Sequence, residues 1–297
     1  MLRLFFMACI VAVGNLDLKA QEGSFIEFAR HRVNKEKGFD RISGKDLEDV
    51  CKFEKDGLSN RIFFEYGAIF VASSKVRIPP SCIFASASDV AAFQEKIKTK
   101  KNTIGTVEIE LQAAAMENLL DAVAEAMRQR LKITPLDGAV AGSRSYEDTV
   151  RIWNSRFLRA LDYWTRKGKI TDQDADSARF AQTRDQIDKV IAWEEKGYYF
   201  STNFSKSILY SVAPPGTSQH LSMLAFDVVE ANDSRVRKIL NQFGWYQTIR
   251  SDQPHFTFLG VTEAELPERG LRKVRYDGND YWVPSHEAKN GPDIPVK

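Results

Sequence analysis

Two histidines and an aspartate lie in short apolar segments of the second half of the chain. His220 and Asp227 belong to the stretch 215–227, and His255 follows Asp252 downstream. Two imidazoles and a carboxylate are the three protein ligands that a catalytic zinc ion uses, while its fourth position stays open for water. His220, Asp227 and His255 are therefore candidate ligands of a Zn²⁺ ion, and unrelated core or surface histidines are the alternative.

The spacing of these residues predicts a bend in the backbone. Leu224 and Phe226 alternate with Asp227, so Asp227 projects from the opposite side of a strand. His220 precedes Asp227 by an odd number of residues, and a regular strand would place the two side chains on different faces. If both bind one metal, the chain must bend between them. His255 is expected to begin a second strand.

Three motifs surround these residues. Ser218, His220, Ala225 and Asp227 match a Ser-x-His-x-x-Gly-x-Ala-x-Asp pattern, and 142–147 reads Gly-Ser-Arg-Ser-Tyr-Glu. Further along, 252–256 reads Asp-Gln-Pro-His-Phe. In this order the motifs resemble peptidase family M15, which contains zinc-dependent VanY-type D-alanyl-D-alanine carboxypeptidases and endopeptidases that cut the L-alanyl-D-glutamate bond.

The resemblance implies a role for each residue. Besides the three zinc ligands, Asp252 would be the catalytic carboxylate, and Arg144 and Ser218 would hold the substrate or the developing oxyanion. Zinc lowers the pKa of bound water from 15.7 to about 7, and Asp252 could pass the water proton to the leaving amine. For Arg144, a structural salt bridge is the alternative.

The sequence also departs from the family pattern. Met223 replaces the family glycine where the bend is expected, and no tyrosine precedes Arg144. Asp252 is shorter than the glutamate of the carboxypeptidase branch, and Pro254 replaces its tryptophan. These departures leave the branch open.

The expected function is hydrolysis of an amide bond in peptidoglycan stem peptides, preferably removal of the terminal D-alanine. An endopeptidase acting inside the stem peptide is one alternative, and a cell-wall binding protein in which Met223 has abolished catalysis is another. A net charge of +2, with 28% charged and 43% hydrophobic residues, gives no reason to expect nucleic acid or a membrane surface as a partner. His31 and His286 have no partner at ligand spacing and are expected on the surface.

Residues 1–20 are predicted to be a secretory signal peptide. Positive charge at Arg3 precedes an almost wholly apolar run, Leu4 to Val13, and the small residues Gly14 and Ala20 offer alternative cleavage sites. About ten apolar residues are too few to cross a bilayer core of about 30 Å as a helix. The mature protein is therefore expected in the periplasm or outside the cell, without a stable membrane span. A lipid-modified Cys9 and a buried N-terminal helix are the alternatives.

Export would leave two cysteines, Cys51 and Cys82, in an oxidising compartment. A disulfide between them is expected to contribute on the order of 3 kcal/mol through loop entropy. Two separate buried thiols are the alternative.

The predicted fold is α+β, with a small antiparallel sheet carrying the zinc site and helices flanking it. An accessory region of unknown role covers 21–104, and the M15-like domain covers 105–262 with a helical insertion at 158–205. Residues 263–297 are expected to form an irregular C-terminal extension.

Several segments carry local signals. The aromatic and branched residues of 61–71 favour a strand pair, 139–141 is expected to be a short buried strand, and the basic stretch 98–102 a solvated linker. Apolar residues three and four apart predict an amphipathic helix within 111–131.

Helix limits are also predicted. Ser88 is expected to cap a helix, and Asp233 to cap another that ends at Gly244. In the insertion, Phe180 is expected to share a buried helix face with Ile187.

Overall fold

The computed structural model describes residues 24–36 and 45–285. The expected signal peptide, Cys9, His286 and the last residues of the C-terminal extension lie outside this part of the chain. Within it, no helix combines the length and hydrophobicity required to span a membrane.

The fold is α+β, as predicted. The helices are α1 (Phe25–Asn34), α2 (Leu47–Cys51), α3 (Gly57–Tyr66), α4 (Ala87–Gln94), α5 (Ala113–Arg128), α6 (Tyr146–Arg166), α7 (Asp172–Arg179), α8 (Thr183–Glu195) and α9 (Ser234–Gln242). The strands are β1 (Thr99–Ile104), β2 (Val107–Gln112), β3 (Ala225–Asp227), β4 (Trp245–Tyr246), β5 (His255–Phe258), β6 (Leu271–Tyr276) and β7 (Asn279–Pro284).

The strands form small antiparallel sheets. β1 pairs with β2, β6 pairs with β7, and β5 lies between β3 and β4. In the pairing of β3 with β5, Asp227 lies opposite His255. Directly opposed residues have Cβ atoms about 4.5–5.5 Å apart, so this register alone brings two predicted metal ligands together.

The predicted strand pair at 61–71 is wrong. The segment continues α3, which Asp56 caps by accepting a hydrogen bond from the Ser59 amide, and then forms a 3-10 turn at Gly67–Val71. Leu58, Ile62 and Tyr66 recur at four-residue steps and are buried. The helical period therefore decides the structure over the β-branched and aromatic composition.

Two shorter predictions also need correction. The basic stretch 98–102 belongs largely to β1 rather than to a linker, since its exposed lysines stand on a hairpin whose residues pair with β2. The segment 139–141 forms a 3-10 turn after Asp137, whose φ is 63°, and not a strand.

Within residues 263–285, which the structure describes, the C-terminal extension is not irregular. Residues 271–284 form the β6–β7 hairpin, and Asp277 and Gly278 at its turn have φ values of 50° and 82°. An Asp-Gly pair with positive φ at both positions is the preferred two-residue hairpin turn. Tyr281 and Trp282 are buried.

The helix predictions are mostly confirmed. α5 lies within 111–131, and Asp233 caps α9, which ends just before Gly244. The cap of α4 is Ser86 rather than Ser88. Phe180 is 81% exposed and does not share the buried face of Ile187.

The expected boundary between 104 and 105 falls in the turn of the β1–β2 hairpin. The larger hydrophobic cluster contains Phe25 and Phe70 from the N-terminal region together with Leu119 and Phe256. Residues before and after the boundary therefore share both a sheet and a core.

The disulfide predicted between Cys51 and Cys82 is formed. It joins the end of α2 to the segment that precedes α4, and both half-cystines are buried. The bond therefore links two parts of the N-terminal region at the edge of the larger cluster.

Candidate metal centre

The structure brings His220, Asp227 and His255 together around one point. The His220 Nε2 atom lies 3.2 Å from His255 Nδ1 and 3.3 Å from Asp227 Oδ1. His255 Nδ1 lies 3.1 Å from the same carboxylate oxygen. Ligands 2.0–2.1 Å from a tetrahedral zinc ion are about 3.3 Å from one another, so these separations fit a zinc ion.

A turn before β3 places the first ligand. His220 lies in a 3-10 turn, Gln219–Ser222, and Met223 after it has φ 54° and ψ 33°, in the left-handed region. The Met223 amide donates to the His220 carbonyl at 3.0 Å and closes the turn. The bend that the spacing of His220 and Asp227 predicts is therefore present, and it accepts methionine in place of glycine.

The outer nitrogen of each imidazole lies at hydrogen-bond distance from an oxygen atom. His220 Nδ1 lies 2.7 Å from the Gly142 carbonyl oxygen, and His255 Nε2 lies 2.9 Å from Gln219 Oε1. Oxygens of this kind only accept, so a proton on the outer nitrogen of each neutral ring would satisfy them. The inner nitrogens and Asp227 Oδ1 are then three facing acceptors, which a shared cation would stabilise.

Electrostatics favours the charge state that binds a metal. Burial, reinforced by the nearby Arg144 guanidinium, lowers the pKa of His220 to about 4. Burial by itself would raise the pKa of Asp227, but His220, His255 and Arg144 together hold it well below its usual value. At neutral pH the site therefore offers a neutral His220 and an ionised Asp227.

Arg144 contacts the carboxylate of Asp227 rather than an open space. Its Nη2 lies 2.5 Å from Asp227 Oδ2, and its Nε donates to the Val140 carbonyl at 2.9 Å. Asp227 thus presents Oδ1 to the histidines and Oδ2 to Arg144. The salt-bridge alternative for Arg144 is realised, and the bridge orients a candidate metal ligand.

Asp252 lies beside the centre, in the turn that enters β5. Its carbonyl accepts a hydrogen bond from the His255 amide at 3.2 Å. Burial and the negative charge of Asp227 raise the pKa of Asp252 to about 6, against the opposing effect of His255. A partly buried carboxyl with such a pKa can exchange a proton near neutral pH.

Ser218 does not join the group. It is buried at the start of the 3-10 turn and lines a cavity of about 10 Å³ with Tyr66 and Ser222. Among residues 24–36 and 45–285, no hydrogen bond connects the Ser218 hydroxyl to the three candidate ligands.

The sequence interpretation missed Gln219. Its side chain is fully buried and contacts His255, although the residue stands next to His220 in the chain. The sequence does contain a signal that could have identified it: a glutamine within an apolar stretch is expected to be buried, and a buried amide requires polar partners.

Comparison of the chain with protein-family models, curated proteins and solved structures finds no match. The side chains of the centre therefore carry the functional inference. Two imidazoles and a carboxylate suit zinc, and they also suit iron(II).

Proposed function

We propose that the chain is an exported zinc metallopeptidase that hydrolyses an amide bond in peptidoglycan stem peptides, preferably releasing the terminal D-alanine. The observation that carries the metal assignment is the convergence of three acceptor atoms, His220 Nε2, His255 Nδ1 and Asp227 Oδ1, within 3.1–3.3 Å of one another. The motif resemblance to peptidase family M15 supports the substrate class.

His220, Asp227 and His255 would hold the zinc ion. When bound, zinc supplies a water of lowered pKa, near 7, and polarises the carbonyl that is attacked. Asp252, beside the centre, would be the proton acceptor and would return a proton to the leaving amine. With a pKa of about 6, Asp252 is mostly ionised at neutral pH and still binds a proton readily.

Arg144 holds Asp227 in this arrangement. One arm of its guanidinium is bound to the ligand carboxylate and its Nε to a backbone carbonyl. A planar, fixed cation of this kind preserves the orientation of the carboxylate while the substrate enters and leaves. Any contribution of Arg144 to oxyanion binding would add to this role.

An endopeptidase acting inside the stem peptide is the second candidate. The arrangement Asp252-Gln253-Pro254-His255, which resembles the endopeptidase branch of the family, favours it. The left-handed backbone at Met223 preserves the bend, and this argues against loss of the site as the basis of a binding protein.

The test begins with metal-resolved elemental analysis of the purified protein and of His220→Ala and Asp252→Ala. About one zinc per chain, lost in His220→Ala and kept in Asp252→Ala, is expected, with turnover lost in both. Asp121→Ala, on the exposed face of α5, is the control and should keep both zinc and turnover.

Mass spectrometry of a stem pentapeptide then identifies the bond. Release of free D-alanine supports the carboxypeptidase, and internal cleavage supports the endopeptidase. A protein without zinc and without cleavage would overturn the peptidase proposal and favour a cell-wall binding protein. Bound iron in place of zinc would redirect the assignment to another chemistry.

A further inference from the structure

Whether His255 can bind a metal ion through Nδ1 depends on which of its two ring nitrogens carries the proton. A neutral imidazole carries its proton on either Nδ1 or Nε2, and only the unprotonated nitrogen can bind a metal. His255 Nδ1 lies 3.1 Å from Asp227 Oδ1. A proton on Nδ1 would make a hydrogen bond to this carboxylate and would block the metal position.

Gln219 opposes that arrangement from the outer side of the ring. Its Oε1 lies 2.9 Å from His255 Nε2. If Nε2 were unprotonated, two hydrogen-bond acceptors would face each other and no hydrogen bond would form. A proton on Nε2 instead makes a hydrogen bond to Oε1 and leaves the lone pair of Nδ1 directed at the centre.

The amide of Gln219 can face only one way. Its Nε2 donates to the Tyr66 backbone carbonyl at 2.8 Å, and a flipped amide would place oxygen against that carbonyl. The Thr257 hydroxyl donates to Gln219 Oε1 at 2.5 Å and in turn lies 2.6 Å from the Thr248 hydroxyl. The network therefore has a single consistent set of donors and acceptors.

The anchor of this network lies far away in the sequence. Tyr66 is the last residue of α3 and directly precedes the 3-10 turn Gly67–Val71. The Tyr66 hydroxyl donates to the Leu209 carbonyl at 2.5 Å. This bond fixes the end of α3 against the segment that precedes the metal turn, Gln219–Ser222. Gln219, Thr248 and Thr257 are all buried, so water does not replace these bonds.

We propose that Gln219, held by the Tyr66 carbonyl, is a positioning residue that keeps the proton of His255 on Nε2 and so makes Nδ1 the metal-binding atom. The inference rests on the proposed metal site, and it assigns a function to the N-terminal region, which supplies the anchor. Partners of this kind typically change metal affinity by 10–100-fold when they are removed.

The test uses protein labelled with ¹⁵N-histidine and NMR correlations that distinguish protonated from unprotonated ring nitrogens. In the metal-free wild type, His255 is expected as the Nε2–H tautomer. Gln219→Met, of similar volume, should shift His255 towards Nδ1–H, and zinc affinity measured by chelator competition should fall about 10–100-fold.

Gln112→Met is the matched control. Gln112 is buried to a similar degree and binds the Ser222 carbonyl at 2.8 Å on the same turn. It makes no hydrogen bond to the candidate ligands among the residues that the structure describes. Its variant should keep the His255 tautomer and should bind zinc within about threefold of the wild type.

The outcomes separate this inference from the proposed function. Nδ1–H in the metal-free wild type, or an unchanged tautomer and zinc affinity in Gln219→Met, overturns the role of Gln219 while the peptidase proposal stands. A wild type that binds no zinc overturns the metal assignment, and the metal-free spectrum still decides the tautomer. If Gln219→Met does not fold, Nδ1–H in the wild-type spectrum would still overturn the proposal.

Discussion

The Asp252 carboxyl is expected to destabilise the folded protein at neutral pH. Its pKa rises from 3.8 to about 6 through burial and the charge of Asp227, so the folded state binds the proton more tightly than the unfolded state. The tighter proton binding stabilises the folded state. This contribution is complete below about pH 4 and is lost as the pH rises through 6. A shift of this size corresponds to about 3 kcal/mol at most, and partial exposure reduces it.

Asp252→Asn should therefore stabilise the chelator-treated protein at pH 7.5 by on the order of 1 kcal/mol while it removes the proposed proton acceptor. At pH 4 the gain should vanish because the wild-type carboxyl is then protonated. Urea unfolding at both pH values measures the difference. An equal gain at both would show that charge is not the cause.

Arg144→Lys separates two roles of the same cation. Lysine keeps the charge but cannot reach both Asp227 Oδ2 and the Val140 carbonyl as the guanidinium does. If Arg144 orients the ligand carboxylate, zinc affinity should fall about tenfold and turnover should recover at saturating zinc. Unchanged affinity with a lower kcat/KM would instead assign Arg144 to the substrate. Arg151→Lys, at an exposed pair with Asp148 on α6, should change neither.

The turn that precedes β3 combines a backbone cost with a side-chain gain. Left-handed backbone costs a residue other than glycine about 1–2 kcal/mol, whereas burying a methionine side chain contributes about 1.5–3 kcal/mol. Met223 is 6% exposed at φ 54°. The side-chain gain therefore offsets the cost and explains why methionine can occupy this bend.

Variants at Met223 test this balance. Met223→Ala should lose about 2–5 kcal/mol because the side chain goes and the backbone cost stays. Met223→Gly should be about 1 kcal/mol more stable than Met223→Ala, since glycine removes that cost. Equilibrium urea unfolding gives the order wild type, glycine, alanine. An alanine variant more stable than the glycine variant would contradict the interpretation.

The loop after α8 depends on one buried carboxylate. Glu194 accepts hydrogen bonds from the amides of Phe200 and Ile208 at 3.1 and 2.7 Å, and from the Ser207 hydroxyl at 2.5 Å. In the same loop, Lys206 binds the Ser251 hydroxyl at 3.2 Å, next to Asp252. The helical insertion is thereby connected to the turn that carries the proposed proton acceptor.

Glu194→Ala should destabilise the protein by about 2–4 kcal/mol, because two buried amides lose their acceptor. Cleavage within 198–208 should become faster in limited proteolysis. Glu195→Ala is the matched control, since this neighbour is exposed and should leave both measurements unchanged. Equal behaviour of the two variants would contradict the role of Glu194.

Local sequence patterns correctly predicted the features that depend on neighbouring residues. The alternation around Asp227 and the odd spacing to His220 required a bend, and Asp233 marked the start of α9. The strand pair at 61–71 was wrong because composition outweighed the four-residue period of Leu58, Ile62 and Tyr66. In this segment the amino-acid composition favours a strand and the spacing of apolar residues favours a helix, and burial of the helical face decides the structure.

Contacts between distant segments were not predictable from local pattern. Gln219 finds its partner at Tyr66, 153 residues away in the chain. β1 is rich in lysine and polar residues, and only its pairing with β2 makes it a strand. The contacts of the N-terminal region with the candidate site, such as the Tyr66 carbonyl with Gln219, could therefore not be inferred from the sequence.

At the scale of the whole molecule, the N-terminal region and the metal turn are in direct contact. The Phe84 amide donates to the Gly216 carbonyl at 2.9 Å, and a Cβ at Gly216 would lie 2.2 Å from the Phe84 carbonyl oxygen. Cys82, two residues before Phe84, is tied to Cys51. A disulfide that closes a loop of this length stabilises by about 3–4 kcal/mol in the chain-entropy model, and it does so beside the metal turn.

A chain that begins at Thr99 tests whether the region before it is dispensable. It keeps β1 and the metal motifs but loses the Tyr66 carbonyl, the Phe84 contact and buried side chains such as Phe63 and Phe70. Exposing a shared core to water should prevent cooperative folding. The truncated chain is expected to show no cooperative urea transition and no stoichiometric zinc. A cooperative transition with one zinc per chain would instead establish residues 24–98 as a separate accessory unit, and the anchor at Tyr66 would then be unnecessary for metal binding.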